Sequence, residues 1–187
     1  MTTFAGDGGQ LQESKAPPRS ARRRAREFVL QGLYQWRVGG ADEADVAAQI
    51  PEMDDFAKAD RDFFVTTLHR VIGQQEALTA LVAAHIDRPF RELSPIEACV
   101  LLMGACELAN DPETPYRVII NEAIELTKSF GGTDGHRYVN GVLDKVAAAV
   151  RPAEVEAKKG AVDARRIRTH RQVFHPGHPI GHSRPRR

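Results

Sequence analysis

Two short stretches concentrate side chains that could do chemistry. Residues 21–36, ARRRAREFVLQGLYQW, place Arg22, Arg23, Arg24 and Arg26 at the start of a helical pattern. The first turn of a helix exposes unpaired N–H groups worth about half a positive charge, so each arginine there costs a few tenths of a kcal/mol. Cations set against their own helix call for an anion. Phosphate matches both guanidinium forks and helix N–H groups. At about 100° per residue, Arg22, Arg23, Arg26 and Arg37 share an arc with Tyr34, away from the Phe28/Val29/Trp36 face, while Arg24 points elsewhere. Guanidinium for phosphate and a flat ring for a base is what single-stranded nucleic acid favours. The plainer alternative is a solvated face with Tyr34 at its rim.

The second stretch is TDGHRYVNG, residues 133–141. Asp134, His136, Arg137 and Tyr138 gather at another helix start, with donors, positive charge and a ring together. Structurally, Asp134 reads as the helix cap, His136 as an exposed first-turn residue and Tyr138 as a rim residue beside the Val139/Val142/Val146 stripe. Lys128, with Glu122 and Glu125, reads as solvated pairing along one helix face. No glycine-rich phosphate loop, H-E-x-x-H or G-x-S-x-G occurs, and no nucleophile stands at a plausible spacing from a base. Neither catalysis nor a cofactor is expected. His175, His178 and His182 lie in a Pro/Gly stretch and are not expected to form a metal site.

The elements that must position these residues are helical. Nothing alternates with the period of a strand, while apolar residues recur at three and four. A first helix spans about 20–38 and ends at Gly39-Gly40, and a short piece covers 43–50 before Pro51. Asp60 opens a segment carrying Phe63, Phe64, Leu68 and Val71, which Gly73 breaks or bends before Leu78 and Val82. Ser94-Pro95-Ile96-Glu97 is a capping box. The ACVLLMGACELA that follows is apolar nearly all round and should lie at the centre. Thr114-Pro115 opens the next helix, with Ile119, Ile120, Ala123 and Leu126 inward, and Asp134 caps the last, which Pro152 ends. The expectation is an all-α fold of about six or seven helices.

Composition sets the bounds. The chain has 187 residues, 42% apolar and 27% charged, which suits one ordinary domain or two small subdomains sharing a core. No apolar run approaches the roughly 20 residues of a membrane span, and the start lacks a signal peptide, so a cytoplasmic location is expected. Cys99 and Cys106 fall about 10 Å apart on one helix, too far for a disulfide, and are expected as reduced core residues. Residues 1–19 read as a disordered lead, 20–152 as the folded unit and 153–187 as a basic, disordered tail. From residue 158 on, nine Lys and Arg stand against Asp163 alone, leaving 17 basic and 24 acidic residues before it. An acidic body with a basic patch at one helix start predicts local rather than general attraction for nucleic acid.

Three stretches, ARRRARE at 21–27, INEAIELTKSFG at 120–131 and RYVNGVLDK at 137–145, resemble the signature segments of the NusB transcription antitermination family. The resemblance spans about 20–152. It implies a fold of two packed helical bundles without catalysis, binding the boxA element of ribosomal RNA leader transcripts together with the ribosomal protein NusE. That assembly joins an antitermination complex on RNA polymerase. It further implies RNA contacts at Arg22, Arg23, Arg26, Tyr34, Lys128, Asp134, His136, Arg137 and Tyr138, and a NusE contact at Glu97, which is also the capping-box acid. A homodimer of the free protein over the RNA face is left open. Tyr138 stands where the family commonly has Phe. The lead and the tail lie outside the family pattern. Two rivals are a helical scaffold that binds protein only and a relative of the N-terminal domain of ribosomal RNA cytosine methyltransferases. The second lacks room here for a cofactor-binding domain after residue 152.

Overall fold

The computed structural model describes residues 20–157. The expectations for the lead, for the tail from Lys158 and for His175, His178 and His182 fall outside the described residues. Within them are seven α-helices, a further helical stretch at 152–157, three short 3₁₀ turns and no strand. The helices are α1 (Ala21–Gly39), α2 (Glu43–Gln49), α3 (Arg61–Gly73), α4 (Gln75–Ala83), α5 (Pro95–Asn110), α6 (Tyr116–Phe130) and α7 (Gly135–Val150). None of them is long and apolar enough to cross a membrane.

Local chemistry sets most of these boundaries. Ser20 accepts from the Arg23 amide at 3.2 Å and starts α1, and Gly40 ends it in the left-handed conformation at φ +68°, which costs glycine little. Asp60 starts α3 by accepting from the Phe63 amide at 3.0 Å. Gly73 ends α3, so the segment opened by Asp60 is two helices. The capping box forms as expected: Ser94 Oγ accepts from the Glu97 amide at 3.3 Å, and Glu97 Oε2 accepts from the Ser94 amide at 3.2 Å.

Helix α5 is the centre. Every residue from Ala98 to Leu108 is buried, and α5 touches α1, α3, α4, α6 and α7. On one side α1, α2 and α3 pack together; on the other α6 and α7 pack on each other and on α5. One apolar core runs through both groups, including Phe64, Leu33, Leu102, Ile119 and Leu143. Each such side chain contributes about 1.5–3 kcal/mol on burial. Gly104 permits the close approach of α7, since a Cβ there would stand 2.8 Å from Leu143 Cδ1.

Helical structure continues beyond residue 152. Pro152 closes α7, but residues 152–157 are helical and Val155 is buried. Glu154 Oε1 accepts from the Tyr116 amide at 3.1 Å. It supplies the cap that α6 lacks locally, because its N-cap residue, Pro115, makes no side-chain cap bond.

Cys99 and Cys106 are free and buried. Burial pushes both thiols up to about 11. Neither should react with a thiol reagent at pH 7–8 in the native protein, and both should react in urea. Rapid labelling of native protein would contradict their placement.

Candidate nucleic-acid interface

The first turn of α1 holds no acid, yet each arginine expected to meet a phosphate meets a carboxylate from another element. Arg22 Nε donates to Asp60 Oδ2 at 2.9 Å, and its guanidinium lies 4.5 Å from the centre of the Phe63 ring. Arg23 Nη2 is 3.6 Å from Glu125 Oε2 on α6. Arg26 forms a bidentate pair with Glu107 on α5, Nη2 to Oε2 at 2.7 Å and Nε to Oε1 at 3.0 Å. The anion that the helix start calls for is thus supplied in part from within.

Arg26 corrects the expected site. It is 3% exposed and Glu107 4%, so Arg26 is taken up by Glu107 and offers a ligand almost no surface. The reason is packing: α1 lies against both α3 and α5, which widens its inward arc from Ala25 to Leu33 and takes in Arg26. Loss of water opposes both charges. For Arg26 the bond to Glu107 and the charges of Glu107, Glu122 and Asp111 outweigh it and hold the guanidinium above its usual pKa. For Glu107 burial is the larger influence and raises the carboxyl, with the Arg26 bond and charge pulling it back. Both Glu107 oxygens accept from Arg26, the arrangement of a charged pair. The sequence did contain a signal. Glu107 is the only charged residue between Glu97 and Asp111 in an apolar helix, and a buried carboxylate requires a cation.

Arg22 and Arg23 remain at the surface, as does Lys128, which donates to Glu125 Oε1 at 2.8 Å. This is the expected pairing within α6, and through Glu125 it brings Lys128 into the same group as Arg23. Tyr34 lies elsewhere. It is exposed and lines an apolar groove of about 470 Å³ with Phe28, Leu30, Ile96 and Phe130. Arg22 lines a different, polar groove with Asp60, Asp62 and Glu107.

At the start of α7, Arg137 and Asp134 are exposed and paired at 3.5 Å. Asp134 stands at the N-cap position but makes no side-chain cap bond, a second correction. Its backbone, at φ −109° and ψ 0°, lies outside the extended region from which a capping side chain reaches back. Its carbonyl instead accepts from the Arg137 amide at 3.1 Å. His136 is half-buried. The Tyr138 hydroxyl donates to Asp87 Oδ1 at 3.0 Å, and the Arg88 guanidinium lies 4.9 Å from the ring centre. Arg88 was not legible as a site residue, because only the approach of the α4–α5 connection to α7 brings it there. The Arg88 bond first, and the Tyr138 hydroxyl next, hold the Asp87 carboxyl below its usual range.

Glu97 sits beneath this helix start. A Cβ on buried Gly135 would stand 2.8 Å from Glu97 Oε1 and 3.2 Å from Thr127 Cγ2, so glycine is what lets α7 begin against α5 and α6. Glu97 is therefore engaged structurally through Oε2, which caps α5, while Oε1 lies against the Gly135 backbone. No three His, Cys, Asp or Glu side chains among the described residues are placed to hold a metal ion.

Comparison with known proteins agrees with this architecture. The NusB family matches residues 23–148. The transcription antitermination protein NusB of Dechloromonas aromatica (strain RCB) is 71% identical over 161 residues, covering 86% of this chain and 99% of the relative. That of Ralstonia pickettii (strain 12J) is 51% identical over 147 residues, covering 79% and 95%. Among solved structures, NusB from T. maritima superposes with a TM-score of 0.65 at 24% identity, covering 76% of this chain and 99% of that one. A chain from the structure of antitermination factors NusB and NusE in complex with dsRNA gives 0.62 at 19% identity, covering 69% and 97%. The described residues are all-α, as the sequence predicts, and the chain belongs to the NusB family of transcription antitermination proteins, a non-catalytic family.

Proposed function

We propose that this protein binds the boxA element of ribosomal RNA leader transcripts together with NusE, in the cytoplasm, and carries it into an antitermination complex on RNA polymerase. The observation that carries the reading is one surface where Arg23 of α1 stands beside Lys128 of α6, linked through Glu125, with Arg22 exposed one residue before Arg23. It lies in a chain 71% identical to a named antitermination protein. Arg22, Arg23 and Lys128 hold phosphates; Arg137, His136 and Asp134 add polar contacts at the start of α7. Tyr34 and Tyr138 offer ring faces on which bases stack, at about 1–3 kcal/mol each. On Tyr138 the Arg88 guanidinium extends that stack. Arg26, being buried, takes no part. Glu97 faces NusE.

The test is a titration of a boxA-type RNA and a scrambled RNA, with and without NusE. The boxA-type strand should bind more tightly than the scrambled one, and NusE should strengthen that preference. In Arg22→Ala/Arg23→Ala the affinity should fall, and the salt slope should flatten by about 0.7 per lost phosphate contact. Equal binding of both RNAs, or an unchanged slope, would overturn the reading.

A further inference from the structure

The carboxylates that answer the arginines of α1 are not equivalent. Glu107 is buried with Arg26 and cannot leave it. Asp60 holds Arg22 with one oxygen while the other caps α3 through the Phe63 amide. Glu125 is different. Its Oε1 accepts from Lys128 Nζ at 2.8 Å and its Oε2 lies 3.6 Å from Arg23 Nη2. Its side chain is 42% exposed, with Lys128 at 50% and Arg23 at 29%. No backbone group or buried partner holds it among the described residues. Exposed pairs of this kind contribute little to folding, so its displacement leaves the fold intact.

Two carboxylate oxygens set against two cations from different helices reproduce what the two non-bridging oxygens of a phosphodiester would do in the same place. We propose that Glu125 occupies the seat of an RNA phosphate between Arg23 and Lys128, and that a strand binds there by displacing it. The proposal rests on the RNA reading above and adds a residue that works against binding. An internal anion lowers the attraction of this patch for any loosely held polyanion. A strand anchored elsewhere by its bases can still displace it, so Glu125 raises discrimination at the expense of affinity.

The experiment uses the full chain and fluorescence anisotropy with boxA-type and scrambled RNAs of equal length, at low and moderate salt. Glu125→Gln keeps the shape and removes the charge. It should bind both RNAs more tightly, by about three- to tenfold at low salt, more for the scrambled strand, with the gain shrinking as salt screens it. Glu52→Gln removes an equal charge from an exposed site after α2 and should change affinity less than about twofold. In an Arg23→Ala background the gain from Glu125→Gln should fall to that control level, since the two act as a pair. A Glu125→Gln affinity equal to that of Glu52→Gln, or a gain that persists without Arg23, would overturn this inference alone. Unchanged binding in Arg22→Ala/Arg23→Ala would instead overturn the RNA reading beneath it.

Discussion

Replacing Arg26 with alanine should lower the unfolding free energy by about 3–5 kcal/mol, because it leaves the Glu107 carboxylate buried without a partner. The pair spans 81 positions of sequence and ties α1 to α5, so the loss falls on the contact between the two halves of the molecule. Arg26→Met combined with Glu107→Leu should recover most of it, since apolar residues of similar size avoid the cost of removing two charges from water. Urea unfolding followed by circular dichroism measures all three proteins. RNA affinity of the folded fraction of Arg26→Ala should equal that of the parent, in contrast to Arg22→Ala/Arg23→Ala. A stability loss under about 1 kcal/mol would show that Glu107 finds water or another cation, and the buried pair would lose its assigned role.

The second large effect is expected at Arg151. Its guanidinium is 9% exposed and donates to the carbonyls of Glu107 at 2.9 Å, Leu108 at 2.7 Å, Asp111 at 2.6 Å and Thr114 at 2.7 Å. A helix leaves its last four carbonyls without internal partners, and α5 ends here against the end of α7. One side chain from the end of α7 donates to two of them, Glu107 and Leu108, and to the Asp111 and Thr114 carbonyls just beyond the helix, and its charge stands at the negative end of the α5 dipole. Arg151→Ala should cost about 2–4 kcal/mol in the same urea measurement, as several buried acceptors lose charged donors. Arg151→Lys should recover only part of this, because an ammonium cannot span four carbonyls in a plane. Full recovery by lysine would mean that charge alone, rather than the guanidinium fork, closes α5.

What could be read in advance divides along the same line. The capping box at Ser94 and Glu97, the all-round apolar α5 and the inward stripe of α6 depend on spacings of three and four, which the linear order displays. The buried side of Arg26 does not, because a helical wheel sorts residues by type, and Arg26 became a core residue through a partner on another helix. Arg151 was hidden for a related reason: the apolar pattern stops at Val150, while the contacts it makes are with α5. Tyr138 was placed at the correct helix start, but its neighbours Asp87 and Arg88 come from a connection with no periodic signal. At Asp134 composition suggested a cap, and the backbone dihedrals decided otherwise.

Because α5 belongs to both helical groups, neither half has an interior of its own. Removing α6 and α7 would bare one flank of an apolar rod, and removing α1 to α3 would bare the other. The molecule should therefore melt as one unit, seen as a single calorimetric transition, and a ligand gripping the start of α1 should raise the stability of α7 with it. Whatever passes between the starts of α1 and α7 is carried through α5, the helix packed on both.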